Sequence, residues 1–118
     1  IADYCSQKAL AYFPGALTPT EIEKAWNSGA TMIKVFPASQ MGPNYFNVIR
    51  GPFDELQLMA VGGINVTNAV DYLRSGASAI AIGGSIFTSS RMKNREFNSI
   101  TADIADLIST VKTFQSEL

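Results

Sequence analysis

One lysine inside an apolar run, and two glycine pairs that close later runs, are the residues of this chain with chemistry to offer. The lysine is Lys34, in Thr31-Met32-Ile33-Lys34-Val35-Phe36-Pro37-Ala38. Desolvating an ammonium is costly unless it is paired or loses its proton, so Lys34 needs either a carboxylate partner or a use. The plainer alternative is a strand-end charge pointing to solvent. An unprotonated lysine amine attacks a carbonyl to give an imine, and the protonated imine draws electrons from the adjacent carbon–carbon bond. Gly62-Gly63 and Gly83-Gly84-Ser85 each follow an apolar run. Such pairs let backbone N–H groups point into a concavity with no Cβ in the way, a nest for an anion. Asn65 and Ser85 stand close by as side-chain donors. Either pair alone reads more readily as a tight turn, but two on adjacent strands favour phosphate. The constellation suits a small phosphorylated keto compound, with lysine on the carbonyl and glycine loops on the phosphate.

The rest of the composition narrows the classes. At 118 residues the chain holds one domain's core and not two. A net charge of -1, with only 16% charged residues, gives no electrostatic case for nucleic acid or a membrane surface. No apolar run approaches the ~18 residues of a membrane span, and no signal-peptide pattern opens the chain. The single cysteine, Cys5, fits a reducing cytosol and reads as a small core residue. There is no histidine, which removes histidine metal ligands, histidine general bases and Ser-His-Asp chemistry from this chain. No metal or cofactor is called for. The chain opens at Ile1 without methionine and reads as starting inside something longer.

The elements that must position these residues alternate. Residues 1–8 read as a helix's last turns, and residues 9–13 as a first strand broken by Pro14-Gly15. Thr18-Pro19-Thr20-Glu21 predicts a helix start with a capping box, and Gly29 its C-cap. A second strand covers 32–36. It is apolar enough to be buried on both faces, as in parallel sheets. A loop over 37–43 and a short helix over 44–50 follow. A third strand covers 56–61, a helix 65–75 and a fourth strand 78–82. A polar basic loop over 88–95, read as solvated surface around Arg91, Lys93 and Arg95, leads into a final helix over about 97–117.

Strict alternation with apolar strands predicts an α/β fold with a parallel sheet. The period of roughly two dozen residues between strand starts suits a barrel. Ser28-Gly29-Ala30 and Ser75-Gly76-Ala77 mark equivalent places in two βα units. A full barrel needs eight strands, and the four here make one domain that is half of a (β/α)8 TIM barrel. In such barrels reactive residues sit at the carboxyl ends of strands. The candidates there are Pro14-Gly15, the stretch from Lys34 to Pro37, Gly62-Gly63 and Gly83-Gly84-Ser85.

In order and spacing, Phe13-Pro14-Gly15, Ile33-Lys34-Val35-Phe36-Pro37-Ala38, Gly51-Pro52-Phe53, Gly62-Gly63-Ile64 and Gly83-Gly84-Ser85 resemble the KDPG/KHG aldolases. These are class I lyases that cleave 2-keto-3-deoxy-6-phosphogluconate or 4-hydroxy-2-oxoglutarate to pyruvate and an aldehyde, as in Entner–Doudoroff carbohydrate metabolism. The resemblance implies a cytoplasmic, usually trimeric (β/α)8 barrel that needs no cofactor beyond a covalent imine, with this chain as its carboxyl-terminal half. It implies Lys34 as the Schiff-base lysine, and Pro14, Phe36, Pro37 and Val61 around a 2-keto acid. Gly62, Gly63, Gly83, Gly84 and Ser85 then form the phosphate or carboxylate pocket. Two departures stand out. The family's general base and carboxylate-holding arginine lie on early strands that have no counterpart here. Where the family commonly has Pro-Thr, this chain has Ala60-Val61, which keeps the shape and deletes a hydroxyl.

Two other classes compete with the aldolase. One is a phosphate-binding barrel of other chemistry, an isomerase or synthase, with Lys34 as a charge partner. The other is a half-barrel inert by itself, whose open sheet edges pair with a missing amino-terminal half or with a second copy.

Overall fold

The computed structural model describes residues 1–117. After α1 (Ala2–Gln7), four βα units follow. They are β1 (Gly15–Ala16) with α2 (Pro19–Asn27), and β2 (Ile33–Val35) with α3 (Ala38–Met41) and α4 (Pro43–Arg50). Then come β3 (Leu58–Val61) with α5 (Ala69–Arg74), and β4 (Ala79–Ala81) with α6 (Ser89–Lys93) and α7 (Phe97–Ser116). The strands form one parallel sheet in the order β1-β2-β3-β4. No described helix is long and apolar enough to cross a membrane.

The sheet is buried on one face. Ile33 and Val35 of β2 and Leu58 and Ala60 of β3 join a core with Ile22 of α2, Phe46 and Ile49 of α4, Ala69 and Tyr72 of α5 and Leu107 of α7. The alternate residues Lys34, Met59 and Val61 lie on the opposite face and are half-buried. The expectation of a strand buried on both faces is therefore corrected. The helices pack on one side only, and period-2 alternation leaves Lys34 on the other.

The first strand lies later than its apolar run suggested. Residues 9–13 are not a strand. The chain leaves α1 through Ala9 at φ 51, with the Ala9 and Leu10 N–H groups bonded back to Ser6 and Cys5. Leu10 and Phe13 are then left exposed. Pairing starts where the Pro14 carbonyl accepts the Lys34 N–H at 2.8 Å, and continues with Ala16 accepting from Phe36. The ladder takes the Pro14 carbonyl and asks nothing of the nitrogen at position 14, so an edge strand tolerates a proline there. Pro14 thus stands at the amino end of β1 rather than closing it. Three smaller corrections follow. The 37–43 loop contains α3, the 88–95 loop contains α6, and Cys5 is half-buried on a helix that buries nothing.

Local chemistry fixes the helices that hold the site. Thr18 accepts from the Glu21 N–H, while the Glu21 carboxylate accepts from Leu17 and Thr18 at 3.0 and 2.8 Å. These bonds, that from the Thr18 backbone foremost, hold the Glu21 carboxyl below its ordinary value of 4.5. A depressed carboxyl contributes stability above its unfolded pKa and loses it as pH falls through the folded one. Glu21→Gln should therefore lower the urea midpoint at pH 7, and the gap to wild type should close as the pH is lowered into the acid range. A gap constant with pH would contradict this.

Arg50, at the end of α4, donates to the carbonyls of Asp54, Leu56 and Gly76 at 2.7, 3.2 and 3.3 Å. It ties the approach to β3 to the approach to β4. Gly76 has φ +104, and a Cβ there would stand 2.4 Å from Arg50 Cδ. Gly29, its counterpart after α2, also has positive φ but faces open space.

Candidate active site

Lys34 occupies the middle of β2, in a row with Gly15 of β1, Met59 of β3 and Ala79 of β4. Its stem lies over Gly15, where an added Cβ would sit 3.5 Å from Lys34 Cε. Its Nζ lies 5.7 Å from the centroid of the Phe36 ring. Among the described residues it has no carboxylate within ion-pair distance.

The Phe36 ring, 53% exposed, joins the lysine to the loop after β3. A Cβ on Gly62 would stand 3.0 Å from two Phe36 ring carbons and 3.4 Å from Pro37 Cα. Gly62 and Gly63 have φ +96 and +75, conformations that side chains rarely adopt. The Gly62 carbonyl accepts the Ser39 N–H at 3.1 Å, and a Cβ on Gly63 would collide with the Ser39 side chain. Behind this corner the Tyr72 hydroxyl donates to the Ala38 carbonyl at 3.2 Å. Burial pushes the Tyr72 phenol above its ordinary value of 10.0, so it remains a donor.

The loop after β4 closes on itself, with the Ile86 and Phe87 N–H groups both donating to the Gly83 carbonyl. It is tied to the loop after β3 by the Ser85 hydroxyl, which donates to the Ile64 carbonyl. A Cβ on Gly83 or Gly84 would meet nothing within 4 Å. Among the described residues, the N–H groups of Gly62, Gly63 and Ile64, and of Gly83, Gly84 and Ser85, donate to no backbone carbonyl. Two runs of three such amides on adjacent strand ends can receive an anion. The glycine pairs are visible in the sequence, but the freedom of the amides is not.

Lys34, Phe36, Pro37, Gly62, Gly63, Gly83, Gly84 and Ser85 thus form a connected set. Val61 joins it from the open face of the sheet, two residues beyond Met59 and paired with Ala81. Pro14 stands beside it. Alternation puts Gly15 on the Lys34 face, and Pro14 and Gly15 together line a cleft of about 530 Å³ with Ile1, Tyr12 and Lys24. Glu21 borders that cleft, but its carboxylate is committed to the helix cap.

One residue near the site was read as surface. Arg91 is half-buried and bonds both the Ile86 carbonyl and Asp103. The signal for it was Thr88 three residues ahead, an N-cap that starts a helix inside the supposed loop.

A family model described as KDPG and KHG aldolase matches residues 1–103. A Rhizobium meliloti (strain 1021) protein named probable 2-dehydro-3-deoxy-6-phosphogalactonate aldolase is 37% identical over 81 residues, 68% of this chain and 38% of its own length. A Haemophilus influenzae protein named 2-dehydro-3-deoxy-phosphogluconate aldolase is 30% identical over 114 residues, 95% of this chain and 53% of its own length. The chain spans about half or less of the length of these relatives. A solved structure described as native KDPGal superposes with TM-score 0.79 over 94% of this chain and 54% of that one. At 22% identity this likeness is one of fold.

Proposed function

The chain belongs to the KDPG and KHG aldolase family, and on that premise we propose that it carries the imine-forming half of a class I aldolase. The observation that supports this most is Lys34 itself. It is half-buried, free of any carboxylate partner among the described residues, and joined through Phe36 to loops with unengaged amides.

In this reading the Lys34 amine adds to the keto carbon of a 2-keto acid and expels water. The protonated imine accepts the electron pair of the C3–C4 bond as the C4 hydroxyl gives up its proton. An aldehyde leaves, the remaining enamine is protonated at C3, and hydrolysis returns pyruvate and free Lys34. Phe36, Pro37 and Val61 face the keto acid, while the amides of Gly62, Gly63, Gly83, Gly84 and Ser85 take the phosphate or a carboxylate. The substrate is a 2-keto-3-deoxy sugar acid phosphate or 4-hydroxy-2-oxoglutarate. Val61 lacks the hydroxyl that the family commonly places there, so the keto-acid end rests on fewer donors.

The chain is proposed as the carboxyl-terminal half of a (β/α)8 barrel. The uncovered sheet face and the free edges of β1 and β4 are then covered by the other four strands or by a second copy. The whole enzyme is read as a cytoplasmic homo-oligomer. Among the described residues no carboxylate lies within ion-pair distance of Lys34 to serve as the proton carrier, so the chain alone should show little or no turnover.

Incubation of the full-length polypeptide with pyruvate and borohydride tests the reading. A reduced adduct is expected on the peptide containing Lys34. Absence of any adduct would remove the aldolase and leave a phosphate-binding barrel of other chemistry.

A further inference from the structure

We propose that Arg91, braced by Asp103, is a positioning residue that holds the Gly83-Gly84-Ser85 loop in its anion-receiving shape. The inference rests on the reading of that loop as a phosphate site. Adjacent glycines leave a loop conformationally free, and a loop that must present three amides at once needs stiffness from elsewhere. Among the described residues its own turn is closed only by the two bonds to the Gly83 carbonyl. Three outside ties complete it. The Ser85 hydroxyl bonds Ile64, the Ile86 side chain is buried, and Arg91 Nη1 donates to the Ile86 carbonyl at 3.2 Å.

Arg91 is fixed in turn. The same Nη1 meets Asp103 Oδ2 on α7 at 2.7 Å, and Nε lies 3.7 Å from Glu96 Oε2. Its side chain is 20% exposed, against 49% and 42% for the two carboxylates. A charged hydrogen bond from a partly desolvated guanidinium is among the stronger side-chain ties to a backbone carbonyl. Thr88, which caps α6 by accepting from the Arg91 N–H at 3.2 Å, fixes where that helix starts. Arg91 does not itself touch the ligand in this account; it acts through Ile86.

The test uses the full-length protein and two probes. Inorganic phosphate, titrated as a competitor of the phosphorylated substrate, reports on the loop, and borohydride trapping of pyruvate reports on Lys34. Arg91→Met keeps the stem and should weaken phosphate about 10-fold while the trapping rate stays within about threefold. Asp103→Asn should weaken phosphate by a smaller factor, and Arg91→Lys should recover part of the loss. Equal loss of both probes, or unchanged phosphate affinity in Arg91→Met, overturns the positioning role. If phosphate fails to compete in the wild type, the phosphate reading of the loop itself is what fails. A fold defect in Arg91→Met would show as a lowered melting midpoint, and Asp103→Asn then decides by the same phosphate-to-trapping ratio.

Discussion

Replacing Lys34 with arginine in the full-length enzyme should abolish the trapped pyruvate adduct and lower retro-aldol turnover by at least about 10³-fold. The choice of arginine matters. It keeps the positive charge on a stem of similar length, so an electrostatic role beside a phosphate would survive. It does not lose its proton in a protein, so nucleophilic addition to a carbonyl does not survive. Lys34→Ala removes both and should be no worse in turnover than the arginine variant. The geometry favours this outcome, because β2 is clamped on both sides by β1 and β3 and its backbone is unaffected by the side chain. Gly15 leaves the stem its room, and either substitution lies on the sheet face away from the helices. Retention of activity within about tenfold in Lys34→Arg would make the lysine a charge partner and end the imine mechanism.

The largest expected effect on stability lies on the opposite face. Phe46 of α4 is fully buried, with its ring edge-on to Tyr72 at 5.5 Å and to Tyr45 at 6.5 Å between centroids. Phe46→Ala should cost about 3–5 kcal/mol, since the lost transfer energy is joined by a cavity that three packed elements can only partly close. Against a total stability on the order of 5–15 kcal/mol, that brings the fold near its limit. Urea unfolding at neutral pH measures it, and a loss below about 1 kcal/mol would show that the site collapses freely. Phe46→Leu keeps most of the volume and should cost clearly less. Because Tyr72 also holds the Ala38 carbonyl, the alanine variant should loosen the corner behind Phe36 and Pro37 before it unfolds the sheet.

These two residues also mark what the sequence made legible. Lys34 could be singled out because a charge inside Ile, Val and Phe is a local contradiction, and contradictions of that kind gather at sites. The α2 start was legible because Thr18, Pro19 and Glu21 carry their mechanism within four residues. The glycine pairs marked both loops proposed to receive the anion. The first strand was misplaced because Pro14-Gly15 signals a break in isolation, whereas β1 needs no N–H at position 14 and a Cβ-free position over the Lys34 stem. Arg91 was missed because its partner, Asp103, lies on another helix, and a five-residue helix shows no periodicity to betray it. The one-sided burial of β2 was illegible for a related reason. Composition reports how apolar a strand is, and only packing reports which face the helices chose.

The strand order has a consequence for how the chain comes to be folded. Each strand pairs with the one synthesised just before it, and none has to slip between two that are already joined. Loop-closure entropy grows slowly with length and is met here in three small instalments, each rewarded at once by a ladder and a covering helix. Such a sheet can grow strand by strand from its amino end during synthesis. The lysine is placed by the first of these pairings to involve β2, and the two glycine-pair loops by the two that follow.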